Sequence, residues 1–157
     1  MKFLLVEDDE NKREQIVRWV AELYPDAEFT LARSLQSGVR AVKENAVECV
    51  LLDMTLPNYD VGPEEPGGRK THSFGGRELL KQMDRFDIDI PVIVITQFET
   101  FGKSPDAMDL GELDVQLAKE HRNYIASIYY HASMHGWKEK LRICISGINK
   151  DGIAPGK

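Results

Sequence analysis

Only two cysteines occur in 157 residues, Cys49 and Cys144. Both sit in apolar runs, VECVLL and LRICI, so they make no disulfide scaffold and read as reduced core residues. Long apolar runs are missing as well. None approaches 18 residues, the length a membrane span requires. The opening MKFLLVEDDE turns acidic too soon for the apolar core of a signal peptide. Basic charge is in short supply: 20 Lys and Arg against 26 Asp and Glu leave a net charge of −6. That is the wrong sign for coating nucleic acid or an anionic membrane surface. No internal repeat is present, which excludes a solenoid. The expectation is a protein of the reducing cytoplasm, with neither nucleic acid nor membrane as partner.

What is present is an alternation. Phe3–Val6, Cys49–Leu52 and Pro91–Ile95 are short, continuous apolar runs, the mark of strands covered on both faces. Ala27–Leu31 reads as a weaker strand and Tyr124–Tyr130 as the fifth. Between them lie helical patterns. Ile16, Trp19, Val20 and Leu23 predict a helix over 11–23, with Asn11 and Glu14 at its start. Leu35, Val39 and Val42 predict another over 34–45, and Leu79, Leu80 and Met83 one over 76–85. Leu110, Leu113 and Leu117 place a helix within 105–121, with Ser104-Pro105 as its start. Trp137, Leu141, Cys144, Ile145 and Ile148 predict the last over 136–149. Five βα units make an α/β fold, a doubly wound five-stranded parallel sheet of flavodoxin-like order 2-1-3-4-5, with helices on both faces. One domain over 1–150 is expected, with 151–157 as a tail too short for an output domain. Residues 58–75 and 97–108 carry no period, and loops of that length in a compact domain are usually functional or disordered.

Ligands of such sheets sit beyond the carboxyl ends of the strands. Those ends carry Glu7-Asp8-Asp9, Asp53 and Thr96. Carboxylates gathered in one crevice repel and raise one another's pKa. A hard divalent cation resolves the conflict, and Mg2+ takes one or two carboxylates plus water and phosphate oxygens. Such a site can hold a phosphoryl group on a carboxylate.

These residues carry a resemblance. LLVEDDE at 4–10, LLDMTLPNYD at 51–60 and PVIVIT at 91–96 resemble a response-regulator receiver domain of two-component signalling. The resemblance implies that Asp53 is the phosphoacceptor. It implies Mg2+ held by Glu7, Asp8, Asp53 and the Thr55 carbonyl, with Thr96 as the switch hydroxyl. Tyr129, among the tyrosines 124, 129 and 130, is assigned as the aromatic that turns with Thr96. It also implies phosphorelay signalling without turnover of an external substrate. A sensor histidine kinase or phosphotransfer protein would be the donor, and a downstream protein the target.

The chain departs from that pattern. The resemblance implies a Lys at the exit of the fifth strand, usually followed by Pro, and the exit reads Tyr130-His131-Ala132-Ser133. A positive charge is therefore expected to be missing, with His131 or Lys70 of the long loop as substitutes. Gln97 stands where a small residue normally follows the switch Thr, and would crowd the phosphoryl group or shield it from water. The alternative is a pseudo-receiver that binds partners without accepting phosphate. A haloacid-dehalogenase-type phosphohydrolase needs a second Asp two residues after the first, where this chain has Thr55. His131 and His135 straddle a strand exit with no acidic or Cys partner, which argues against a zinc site.

Overall fold

The computed structural model describes residues 1–60, 71–72 and 74–151; Lys70 and most of the long loop around it lie outside the described residues. The strands are β1 (Lys2–Val6), β2 (Glu28–Ala32), β3 (Cys49–Leu52), β4 (Val92–Thr96) and β5 (Tyr124–Tyr129). They form one parallel sheet in the order β2-β1-β3-β4-β5. The helices are α1 (Glu10–Leu23), α2 (Leu35–Glu44), α3 (Gly75–Arg85), α4 (Leu110–Glu120) and α5 (Gly136–Asp151). This is the doubly wound fold that the alternation predicts.

Side chains alternate across a strand, and here each parity has its own helices. Phe3, Leu5, Cys49, Leu51, Ile93, Ile95 and Ile128 pack with Ile16 and Val20 of α1 and with Trp137, Leu141 and Ile145 of α5. Leu4, Val6, Val50, Leu52, Val92 and Val94 pack with α2, α3 and α4 through Leu35, Val42, Leu79, Met83, Leu113 and Leu117. The central strands are buried along their whole length, which is why they read as unbroken apolar runs rather than alternating ones.

Two helix starts differ from the sequence reading. The cap of α1 is Asp9, whose side chain accepts from the Lys12 backbone N–H at 2.9 Å; Asn11 lies inside the first turn. Helix α4 starts at Leu110, behind a capping box of Asp109 and Glu112. Ser104-Pro105 does not start it, because Thr100–Phe101 first pairs antiparallel with Met108–Asp109. The 97–108 segment is thus pinned at its base, and Phe101 is buried against Phe74 with ring centroids 6.2 Å apart. The 58–75 stretch is pinned similarly, by Leu56–Pro57 pairing antiparallel with Thr71–His72.

The start of α3 lies against the loop after β3. The Gly76 N–H donates to the Met54 carbonyl at 2.9 Å. A Cβ on Gly76 would stand 2.6 Å from the Asp53 carbonyl oxygen and 2.9 Å from the Met54 Cα, both backbone atoms. Neither can yield without moving the loop that carries Asp53. Gly76→Ala is expected to cost about 1–3 kcal/mol of unfolding free energy. Gly147→Ala, inside α5 and with nothing within 4 Å of its added Cβ, should be neutral or gain about 0.5–1 kcal/mol. Urea unfolding of both variants checks this; equal effects would refute the close approach.

Candidate functional site

The register of the sheet assembles the site. Val6 lies beside Leu52, and Leu52 beside Val94, so Glu7, Asp53 and Ile95 follow at one level across three adjacent strands. The Asp53 N–H donates to the Val6 carbonyl at 3.0 Å, and the Glu7 N–H to the Ala32 carbonyl at 2.9 Å. By the alternation of side chains, Glu7 continues the face of Phe3 and Leu5, and Asp53 that of Cys49 and Leu51. Both carboxylates therefore turn towards α1, and both are buried.

A lysine meets them there. Lys12, in the first turn of α1, is 1% exposed. Its Nζ lies 2.6 Å from Glu7 Oε1 and 3.3 Å from Asp53 Oδ1, and donates to the Ile95 carbonyl at 2.6 Å. The Tyr130 ring stands behind it, 5.8 Å from Nζ to the centroid. One ammonium thus serves two buried carboxylates. Burial pushes the Glu7 carboxyl up to about 7 from an ordinary 4.5, against the pull of the Lys12 ammonium and with the Asp53 charge adding to the rise. Burial raises Asp53 too, opposed by Lys12 and by the backbone N–H groups of Thr55 and Met54. Asp53 Oδ1 is buried and has no well-formed hydrogen bond; its contact with the Lys12 ammonium, at 3.3 Å, is long and mainly one of charge.

The other predicted residues surround this pair. Thr96 ends β4, buried, and its Oγ1 accepts from the Phe98 N–H at 3.3 Å. Tyr129 is its half-buried register partner on β5. Thr55 lies two residues beyond Asp53, half-buried. Gln97 and His131 are exposed and line a cleft of about 310 Å³ whose wall includes Lys12 and Tyr130. Asp8 lines a different cleft, with Glu10, Glu14 and Arg33. Among the described residues no three His, Cys, Asp or Glu side chains gather around one point. The expected convergence of acids is thus seen for Glu7 and Asp53, while Asp8 opens onto the neighbouring cleft.

The expectation of a missing positive charge is corrected. It assumed that the charge must come from the β5 exit or the long loop. His131 is exposed and its Nδ1 accepts from the Ser133 N–H at 3.1 Å; Lys70 lies outside the described residues. The ammonium arrives from α1. The signal was in the sequence, since Lys12, Ile16 and Val20 are spaced i, i+4, i+8 and all are buried. A lysine on the apolar stripe of a helix, within a turn of an acidic strand end, marks a buried ion pair.

Comparison with known proteins places this arrangement. No protein-family model matches the chain. It is 33% identical over 145 residues to the uncharacterized protein y4jR of Sinorhizobium fredii, covering 90% of this chain and 95% of that protein. It is 25% identical over 143 residues to the Detocs response regulatory protein DtcB of Enterobacter cloacae, covering 90% and 95%. The phosphorylated cyanobacterial phytochrome response regulator RcpA superposes with a TM-score of 0.67 at 18% identity, over 99% of this chain and 98% of that one. The chain belongs to one family with y4jR and has the receiver fold of response regulators. The response regulator protein TrrA of Thermotoga maritima, in complex with Mg2+ and BeF, superposes with a TM-score of 0.56 at 17% identity, over 91% and 97%.

Two carboxylates share one ammonium here, so removing a carboxylate should relieve the metal-free fold. Asp53→Asn is expected to stabilise it by about 1 kcal/mol, whereas Lys12→Met, which leaves both acids unpaired, should cost about 3–5 kcal/mol. The raised Glu7 adds a pH dependence. Its contribution to stability is full below pH 4.5 and lost as pH rises through about 7. Because the Asp53 charge is part of that rise, Asp53→Asn should flatten the decline. Urea unfolding between about pH 5 and 8 without divalent ions measures both effects; an Asp53→Asn variant less stable than wild type throughout would refute this account of the charges.

Proposed function

We propose that this receiver accepts a phosphoryl group on Asp53 and signals by binding another protein in the cytoplasm. The observation that carries the reading is the Asp53 carboxylate itself. It ends a buried strand, keeps one oxygen without a well-formed hydrogen bond, and has an ammonium 3.3 Å away. Buried polar atoms are mostly satisfied, and a reactive or ion-binding role is one explanation for an exception; here the exception is at a strand end beside an ammonium. The donor would be a sensor histidine kinase or a phosphotransfer protein. An Asp53 oxygen forms the new bond to phosphorus as the bond to the donor's leaving atom breaks, and that electron pair stays on the donor.

The donor set suits Mg2+, a hard cation that takes oxygen ligands, since every side chain and carbonyl offered here is an oxygen donor. Glu7, Asp8, Asp53 and the Thr55 carbonyl are the residues that would hold it. When bound, the ion neutralises charge developing on the transferring group. The chain's own residues do the rest. The Thr55 and Met54 N–H groups orient the acceptor. The Thr96 hydroxyl, at the end of the adjacent strand, donates to the phosphoryl group once it is present. Tyr129, paired with Thr96 across β4 and β5, carries that change to the α4–β5 face. Gln97 at the cleft's lip slows water's approach to the aspartyl phosphate.

A phosphorylation-independent binding module is the second reading. It is favoured by Lys12, which already offsets the two acids. Incubation with Mg2+ and acetyl phosphate, followed by intact-protein mass measurement, separates the two. The expected result is one added phosphoryl group in wild type and none in Asp53→Asn. No addition to wild type would leave the binding module standing, and addition to the Asp53→Asn variant would mean that another residue accepts.

A further inference from the structure

The geometry points to Lys12 as the cation that meets the transferred phosphoryl group, a role that rests on Asp53 being the acceptor. An ammonium has three N–H donors. Two are engaged at 2.6 Å, with Glu7 Oε1 and the Ile95 carbonyl. That leaves the third for Asp53, whose Oδ1 stands 3.3 Å away and has no well-formed hydrogen bond. The separation is slightly too long for a good N–H···O bond. A phosphoryl group on Asp53 carries its oxygens farther from the carboxyl carbon and gives the ammonium an anion to bind.

Further observations support the assignment. Lysines usually bury the stem and keep the head in water, yet here the head is buried. The residue also sits in the first turn of a helix, where the backbone dipole disfavours a cation. Neither placement suits a lysine kept for stability alone. The cleft of about 310 Å³ has Lys12 in its wall together with Gln97 and Tyr130, so the same lysine borders this cleft and contacts Asp53. The β5 exit offers Tyr130, packed on Trp137 with centroids 5.1 Å apart, and His131, an exposed side chain bound to the Ser133 N–H. Among the described residues no other cation forms an ion pair with the acceptor.

The reaction with acetyl phosphate balances without a proton from Lys12. An Asp53 oxygen forms a bond to phosphorus, the bond from phosphorus to the acetyl oxygen breaks, and acetate leaves with that electron pair. The ammonium stays protonated and donates to an equatorial phosphoryl oxygen.

The test compares wild type, Lys12→Gln and Lys12→Arg for the rate of phosphoryl addition from acetyl phosphate, and for Mg2+ affinity by NMR titration. Lys12→Gln is expected to react about 10- to 100-fold more slowly, the loss of one charge-assisted hydrogen bond made in the transition state. It should bind Mg2+ at least as tightly as wild type, because the ion no longer competes with an ammonium for Glu7 and Asp53. Lys12→Arg should recover part of the rate. A Lys12→Gln protein that reacts as fast as wild type overturns the assignment and leaves Asp53 as acceptor. Wild type that takes no phosphoryl group overturns both readings together. Should the Lys12→Gln variant fail to fold, wild type labelled with 15N-lysine decides. The Lys12 Nζ resonance is expected to shift when beryllofluoride is added in the presence of Mg2+, beyond the shift from Mg2+ alone; an unmoved resonance overturns the assignment.

Discussion

A buried ammonium between two buried carboxylates sets the conditions that the rest of this structure meets. Taking a lysine head out of water costs several kcal/mol unless its donors are satisfied. Here satisfaction requires oxygens from three neighbouring strands: Glu7 after β1, Asp53 after β3 and the Ile95 carbonyl within β4. These can meet one side chain only if the three strands end level, as the pairing of Val6 with Leu52 and Leu52 with Val94 makes them do. This lysine comes from a helix that has to start directly after β1 for its side chain to meet them. Asp9 provides this by capping α1 only three residues past the strand. The ion cluster thus ties α1 to the sheet by charge, at the end where apolar packing by Ile16 and Val20 has run out.

The layout of the fold was legible because it rests on parity and period. Phe3 and Leu5 against Leu4 and Val6 already contain the two faces of the sheet, and α1 and α5 could be recognised from single apolar stripes. The start of α4 was not legible. Ser104-Pro105 is a reasonable helix start on local grounds, but Thr100–Phe101 pairing with Met108–Asp109 is a contact between residues that carry no strand pattern of their own. Two-residue ladders leave almost no trace in hydrophobic periodicity, and the same holds for Leu56–Pro57 with Thr71–His72.

The site was half legible for a different reason. Acidic residues at strand ends announce themselves because nothing apolar continues past them. Lys12 was overlooked because periodicity counts apolar residues and passes over a charged one on the same stripe. The resemblance misled as well, because it ties the cation to a sequence position at the β5 exit. The physical requirement is a positive charge at a point in space. Lys12, at the start of the first helix, and a residue after the fifth strand can both reach that point, since α1 and α5 flank the same face of the sheet.

Moving the cation changes what the β5 exit can be. A lysine there would keep the end of the strand polar and hydrated. With the charge delivered by α1, the position holds Tyr130, which packs on Trp137 and presents its ring to the ammonium. The aromatic pair encloses the side of the ion cluster that faces α5 and lowers the local dielectric. In that setting each remaining charge contact is stronger, and each unmatched one costs more. The raised Glu7 and Asp53 carboxyls are the direct result: the enclosure that makes one lysine effective leaves two acids sharing a single positive charge.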